Sequence, residues 1–299
     1  DKLFSMKEFN IKGTGVALIT PFDKHESVDF TSLGKIIDHC INGGVDYLVS
    51  LGTTSEYPTL TEKEMNAVRE FTLEKVNNRI PIVLGMGGNN TKELTNSISK
   101  ADLSGFSAIL SVSPYYNKPS QKGLVQHYHR VAGSSSLPVI IYNVPGRTGC
   151  NIKAETTLQI AEECKNVIGI KEASGDMAQC MEIIRCAPKG FSLISGEDAL
   201  TMPLIACGAK GVISVTANAF PKQVSEMVNF ALKDNFKKAS PLHYSLLPFT
   251  NSIFEEGNPC GIKASLEIMG LCENIVRQPL YKISKTLYNK LQSQIKEIK

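Results

Sequence analysis

The sequence predicts an α/β chain of the (β/α)8 TIM-barrel class with a C-terminal helical appendage, and three observations carry that expectation. Eight short apolar runs are each followed by a stretch with helical periodicity. The pairs recur about every 25 to 30 residues, the rhythm of repeated βα units rather than of a sandwich. From Pro221 onward only helical periodicity remains. The barrel is therefore assigned to residues 1–220 as the catalytic domain, and residues 221–299 to a helical extension packed on it.

The candidate strands are Val16 to Thr20, Tyr47 to Leu51, Ile80 to Leu84, Ala108 to Val112, Val139 to Tyr142, Val167 to Lys171, Phe191 to Ile194 and Gly211 to Val215. Between the first two, Leu33, Ile36, Ile37, Cys40 and Ile41 make one apolar helical face, which Gly43 and Gly44 bring to a stop. The next helix opens Thr61-Glu62-Lys63-Glu64, the pattern of a capping box in which Thr61 and Glu64 satisfy each other's free backbone donors. In the appendage the helical segments lie near Gln223 to Leu232, Phe236 to Leu247, Gly261 to Met269 and Tyr281 to Lys296.

Composition excludes several function classes. With 42% apolar residues in 299, the chain can bury one large core. Its 32 Lys and Arg against 29 Asp and Glu include no basic block to track a nucleic-acid backbone. No apolar run reaches the roughly 20 residues of a membrane helix, and Asp1 to Asn10 lack the apolar centre of a signal peptide, Met6 reading as a native start. The expectation is a soluble cytoplasmic protein that binds neither nucleic acid nor membrane. Eight cysteines without a C-x-x-C pair read as reduced core residues. His127 and His129 flank Tyr128 on different sides of a helix, so no metal site is expected.

Barrel chemistry sits where strands end, because the loops at the C-terminal face converge there. Strand six ends in Lys171 after an apolar run, and an amine withdrawn from water at that rim is a nucleophile for carbonyls. Strand five ends in Tyr142, a phenol able to move the protons that carbinolamine formation and dehydration require. Arg147 follows on a Pro-Gly turn, suited to clamp a carboxylate through its planar fork. Strand two runs into Gly52-Thr53-Thr54-Ser55-Glu56, whose hydroxyls and backbone donors suit a carboxylate and a proton. Strand four leads to Tyr115 and Tyr116, and strand seven to Gly196, where a backbone can approach a ligand closely. Singly, each has a plainer reading: a surface lysine or arginine, a tyrosine capping the core, an aromatic patch, a helix cap. Their convergence at one barrel mouth carries the argument.

These residues lie in stretches that resemble the dihydrodipicolinate synthase family of pyruvate-dependent class I aldolases: Gly15 to Phe22, Gly52 to Glu56, Ser113 to Pro119, Tyr142 to Gly149, Gly169 to Ala173 and Gly211 to Asn218. The resemblance spans nearly the whole chain in order. It implies a covalent imine between Lys171 and pyruvate with no other cofactor, and attack of the resulting enamine on aspartate semialdehyde, as in lysine (diaminopimelate) biosynthesis. It implies Tyr142 as proton donor with Thr53 and Tyr116 in relay, Thr54 on the pyruvate carboxylate, Arg147 on the semialdehyde carboxylate, and Ile213 presenting its backbone near the keto acid. It also implies that Tyr116 crosses into a neighbouring subunit, hence a homo-oligomer, a tetramer built as a dimer of dimers. Asn89, Glu93 and Tyr115 resemble an allosteric lysine site, whereas Tyr57, Glu62 and Met65 depart from it, so weak or absent feedback by lysine is expected. Ser55 stands where the family commonly has glycine. The alternative is a sister pyruvate lyase, such as N-acetylneuraminate lyase or a keto-deoxy-sugar-acid aldolase, and Arg147 with the Thr53-Thr54 pair argues against it.

Overall fold

The computed structural model describes residues 9–298, so Met6 as a start lies outside the described residues. Strands β1 (Gly13–Ala17), β2 (Tyr47–Ser50), β3 (Ile82–Gly85), β4 (Ala108–Val112), β5 (Val139–Asn143), β6 (Val167–Glu172), β7 (Ser192–Ser195) and β8 (Gly211–Ser214) close into one parallel barrel in chain order, with β8 pairing back to β1. The helices are α1 (Phe30–Asn42), α2 (Glu62–Val76), α3 (Thr91–Lys100), α4 (Gln121–Ser134), α5 (Pro145–Thr148), α6 (Ala154–Glu163), α7 (Met177–Cys186), α8 (Thr201–Ala206), α9 (Pro221–Ala231), α10 (Phe236–Ser252), α11 (Cys260–Ile268) and α12 (Lys285–Ile298). The expected TIM barrel and its C-terminal helices are present.

The elements form for local reasons. Thr61 and Glu64 make the expected capping box at the start of α2. Asp29, Asn90, Ser120 and Asp176 cap α1, α3, α4 and α7 through side-chain oxygens. The strands are almost wholly buried, as a sheet covered on both faces requires.

Two strands begin two or more residues from the position read in the sequence, and the others agree to within one residue. β1 lies three residues earlier, because Gly13 and Gly15 are crowding sites rather than loop residues. A Cβ on Gly15 would fall 2.2 Å from the Tyr47 ring, which fills the barrel floor. Beyond Ala17 the chain leaves the ladder, and the Ile19 N–H donates to Asn218 Oδ1 at 3.3 Å. β3 starts at Ile82 because Pro81 has no N–H to give the ladder, although its carbonyl accepts from Leu48 at 3.1 Å.

α9 packs on β1, α1 and α8, completing the ring of outer helices, and α10 and α12 pack beyond it. The segment from α10 to α11 then returns over the C-terminal face of the barrel, with Asn258 reaching Thr54. None of the eight cysteines is in a disulfide. Among the described residues no helix is long and apolar enough to cross a membrane.

Candidate active site

Adjacent strand ends bring the two principal side chains together. Tyr142 pairs with Lys171 across β5 and β6, and Lys171 with Ile194 across β6 and β7. Lys171 is 5% exposed and Tyr142 7%. The lysine Nζ stands 4.1 Å from the centroid of the Tyr142 ring, a cation–π distance that holds the amine beside the phenol. A long flexible side chain is thereby given one direction, into the barrel mouth.

Two carboxyl groups from the loop after β7 share this environment. Burial pushes the Glu197 pKa up and Asp198 adds to the rise, while Lys171 and Arg147 oppose it. Asp198 is also pushed up by burial, against hydrogen bonds from Ser214 Oγ, Val215 N at 2.8 Å and Thr216 N at 3.3 Å. Those bonds tie the β7 loop to the end of β8, where Ile213 is buried. Gly196 donates its N–H to Glu172 O at 2.7 Å, and a Cβ there would lie 2.6 Å from Ala173 Cβ. The open side of Gly196 thus lets the ends of β6 and β7 meet.

Glu172, next to Lys171 on β6, is held by an amide network outside the mouth. It accepts from Asn143 at 3.0 and 3.1 Å, Gln179 at 3.0 Å and Ser174 N at 2.8 Å. Burial nonetheless pushes its pKa up. The network fixes the strand end on which Lys171 sits.

The Thr53–Ser55 turn after β2 is bounded by Leu51 and Glu56, both at φ 56°. A left-handed conformation costs a non-glycine residue about 1 to 3 kcal/mol, and such strain gathers at functional sites. Gly85 on β3 makes room for it, since a Cβ there would be 2.2 Å from Leu51 O. Ser55 closes the turn through its own hydroxyl, donating to Gly52 O at 2.6 Å, which shows how a residue larger than glycine fits. Thr54 Oγ1 accepts from Asn258 Nδ2 at 3.0 Å, and Arg147 Nη2 donates to Asn258 O at 3.4 Å. Asn258 therefore joins the two groups read from sequence as carboxylate binders.

Tyr116 is not brought into this cluster. It is 88% exposed in a left-handed conformation with φ 72°, and its N–H donates to Thr148 O at 3.4 Å. Tyr115 turns the other way: its carbonyl accepts from Asn89 Nδ2 at 3.1 Å, and its hydroxyl lies beside Tyr57. Burial pushes the Tyr57 pKa up, with Tyr115 and then Tyr142 adding to the rise. Glu93 is exposed in the first turn of α3, where its N–H donates to Asn90. His127 and His129 do diverge, the first buried against Thr91 Oγ1 at 2.8 Å and the second paired with Glu163 at 2.6 Å on the surface.

Sequence reasoning missed Asn258, Lys263 and the role of Glu56. Glu56 and Lys263 form a fully buried ion pair at 2.5 Å beneath the Thr53–Ser55 turn. Burial pushes the Lys263 pKa down, and the Glu56 carboxylate opposes that shift. The available signal was a lysine inside the apolar run Gly261-Ile262-Lys263-Ala264-Ser265-Leu266, where a solvated residue has no place.

Comparison with known proteins gives the family. A family profile described as the dihydrodipicolinate synthetase family matches residues 10–298. A relative from Parabacteroides distasonis named 4-hydroxy-tetrahydrodipicolinate synthase is 48% identical over 293 residues, covering 98% of this chain and 99% of its own. A chloride-inhibited dihydrodipicolinate synthase from Acinetobacter baumannii, solved with pyruvate, is 37% identical with a TM-score of 0.93, covering 97% of this chain and 99% of its own. A structure described as a monomeric dihydrodipicolinate synthase variant is 38% identical with a TM-score of 0.93, covering 96% of each chain. The fold, the full-length match and these relatives together establish that the chain belongs to the dihydrodipicolinate synthetase family.

Proposed function

We propose that this protein is a 4-hydroxy-tetrahydrodipicolinate synthase, a lyase of the class I aldolase type that condenses pyruvate with L-aspartate 4-semialdehyde in lysine biosynthesis. The observation that carries the reading is the buried Lys171 amine held against the Tyr142 ring at the mouth of the barrel. The lysine Nζ adds to the pyruvate carbonyl carbon, and loss of water leaves an imine. Tyr142 supplies and receives the protons of these steps, since both an acid and a base are needed. Loss of a methyl proton gives an enamine, whose carbon attacks the aldehyde of the second substrate. Cyclisation through the substrate's own amine then releases Lys171.

Thr54 and the neighbouring backbone hold the keto-acid carboxylate, and Thr53 lies in the proton path. Arg147, exposed at the rim and steadied by Asn258 O, receives the semialdehyde carboxylate. Gly196 and the Ile213 backbone bound the site from β7 and β8. Tyr116, projecting 88% exposed from its own subunit, completes the relay in a neighbour, within a dimer of dimers. Tyr57, Glu62 and Met65 depart from the family's lysine site around Asn89, Glu93 and Tyr115, and on that ground lysine inhibits weakly or not at all. The eight strands within residues 1–220, with α9 as the last outer helix, form the catalytic barrel, and the segment from α10 to α11 of the helical extension covers its mouth.

Initial rates decide between this reading and the sister lyases. Turnover of pyruvate with aspartate semialdehyde, without cleavage of N-acetylneuraminate, supports the synthase. The reverse pattern assigns the chain to the lyases.

A further inference from the structure

The turn carrying Thr53 and Thr54 is held from beneath by charges that the proposed reaction does not use. The Glu56 carboxylate, fixed in a left-handed conformation at the end of the turn, lies 2.5 Å from Lys263 Nζ and accepts the Arg277 N–H at 3.0 Å. Lys263 is wholly buried. It also donates to Ile275 O at 2.8 Å, and its Nζ stands 4.0 Å from the Phe22 ring centroid. The Arg277 guanidinium carbon lies 4.4 Å from the same ring. Arg277 continues outward to Thr59 O at 2.8 Å and to Glu64, clamping the far end of the same loop. Five residues before Lys263, Asn258 donates to the Thr54 hydroxyl itself. One stretch of the C-terminal appendage therefore grips the C-terminal end of the turn, the loop that follows it and one of the turn's hydroxyls.

A buried ion pair is a poor way to gain stability. Desolvation of the two charges cancels much of their attraction, and well-packed apolar residues of similar volume often do as well. What a charge pair supplies, and an apolar contact does not, is a fixed distance and direction. A strained turn that must present two hydroxyls at set positions needs that.

We propose that the Glu56–Lys263 ion pair is a positioning device that sets the Thr53-Thr54 turn in its reactive geometry, acting through the backbone of the turn without touching substrate. The inference rests on the assignment of Thr53 and Thr54 to the keto-acid site.

The test is the double variant Glu56→Gln/Lys263→Met, which removes both charges together and leaves neither buried alone. Its thermal midpoint stays within a few degrees of wild type, while the pyruvate KM rises and kcat falls, each about tenfold. The KM for the aldehyde is unchanged, and borohydride still traps pyruvate on Lys171. Lys290→Ala, which breaks the surface pair with Glu255 in the same appendage, leaves all of these at wild-type values. A folded double variant with wild-type pyruvate KM and kcat overturns the proposal. Should the double variant not fold, Glu56→Asp, which keeps both charges but shortens the carboxylate arm by one methylene and so shifts the turn, decides on the same readouts, wild-type pyruvate KM and kcat again overturning the proposal. Wild-type protein that fails to trap pyruvate would instead overturn the keto-acid assignment, and the positioning role with it.

Discussion

Tyr142→Phe isolates one hydroxyl and nothing else. The ring, 7% exposed and 4.1 Å from the lysine Nζ, keeps its packing and its cation–π face when the oxygen is removed. The variant therefore folds as wild type does, with a stability change under about 1.5 kcal/mol. General acid–base catalysis by a positioned group contributes roughly 10²- to 10⁴-fold. Because Tyr142 is the phenol held against the amine, most of that factor falls on kcat. A loss of about 10³-fold corresponds to about 4 kcal/mol of barrier at 1.36 kcal/mol per decade. The assay is steady-state turnover of pyruvate with aspartate semialdehyde, alongside the rate of borohydride-trapped adduct. Slow but complete adduct formation with turnover reduced at least a hundredfold is expected. Turnover within threefold of wild type would remove Tyr142 from the proton path.

Two further outcomes follow from the same geometry. Arg147→Ala removes a charge-assisted contact worth about 1.5 to 3 kcal/mol; kcat/KM for the semialdehyde falls roughly 10- to 150-fold while pyruvate still forms its adduct, and loss of the adduct would contradict the role of Arg147. Glu64, bonded through both carboxylate oxygens to Arg277, has its pKa lowered from an ordinary 4.5 to about 2, first by the Arg277 hydrogen bond. Because the folded value lies below the unfolded one, this stabilisation is fully present above pH 4.5 and is lost as pH falls towards 2. Glu64→Gln costs about 1 kcal/mol at pH 7, and the gap to wild type in urea unfolding narrows steadily below pH 4.5 and closes only below the folded value of about 2; a gap that does not depend on pH would refute the assignment.

The parts of the fold and site that were legible in the sequence are those set by local pattern. β5 and β6 are apolar runs that end in Tyr142 and Lys171, and a barrel's order makes consecutive strands neighbours, so the pair could be foreseen without coordinates. The capping box at Thr61 needs only its own four residues. β1 is hard to place because Gly13 and Gly15 carry no apolar side chain, and what crowds them is remote in sequence, the Asp46 carboxylate at Gly13 and the Tyr47 ring at Gly15. α12 begins at Lys285 rather than near Tyr281, since Ser284 caps it and Tyr281 is left 81% exposed. The contacts of Glu56 with Arg277 and of Thr54 with Asn258 join residues more than 200 positions apart. Such a pairing leaves no periodicity to read, and a charged residue seen singly is most often a surface one.

The account stands on one amine held out of water beside a phenol. Borohydride reduction of the protein with pyruvate, followed by peptide mapping, examines it directly. A mass increase from the reduced pyruvate adduct on the peptide containing Lys171, absent in Lys171→Ala, is the predicted result. Adduct on another lysine, or none in a folded wild-type protein, would contradict it.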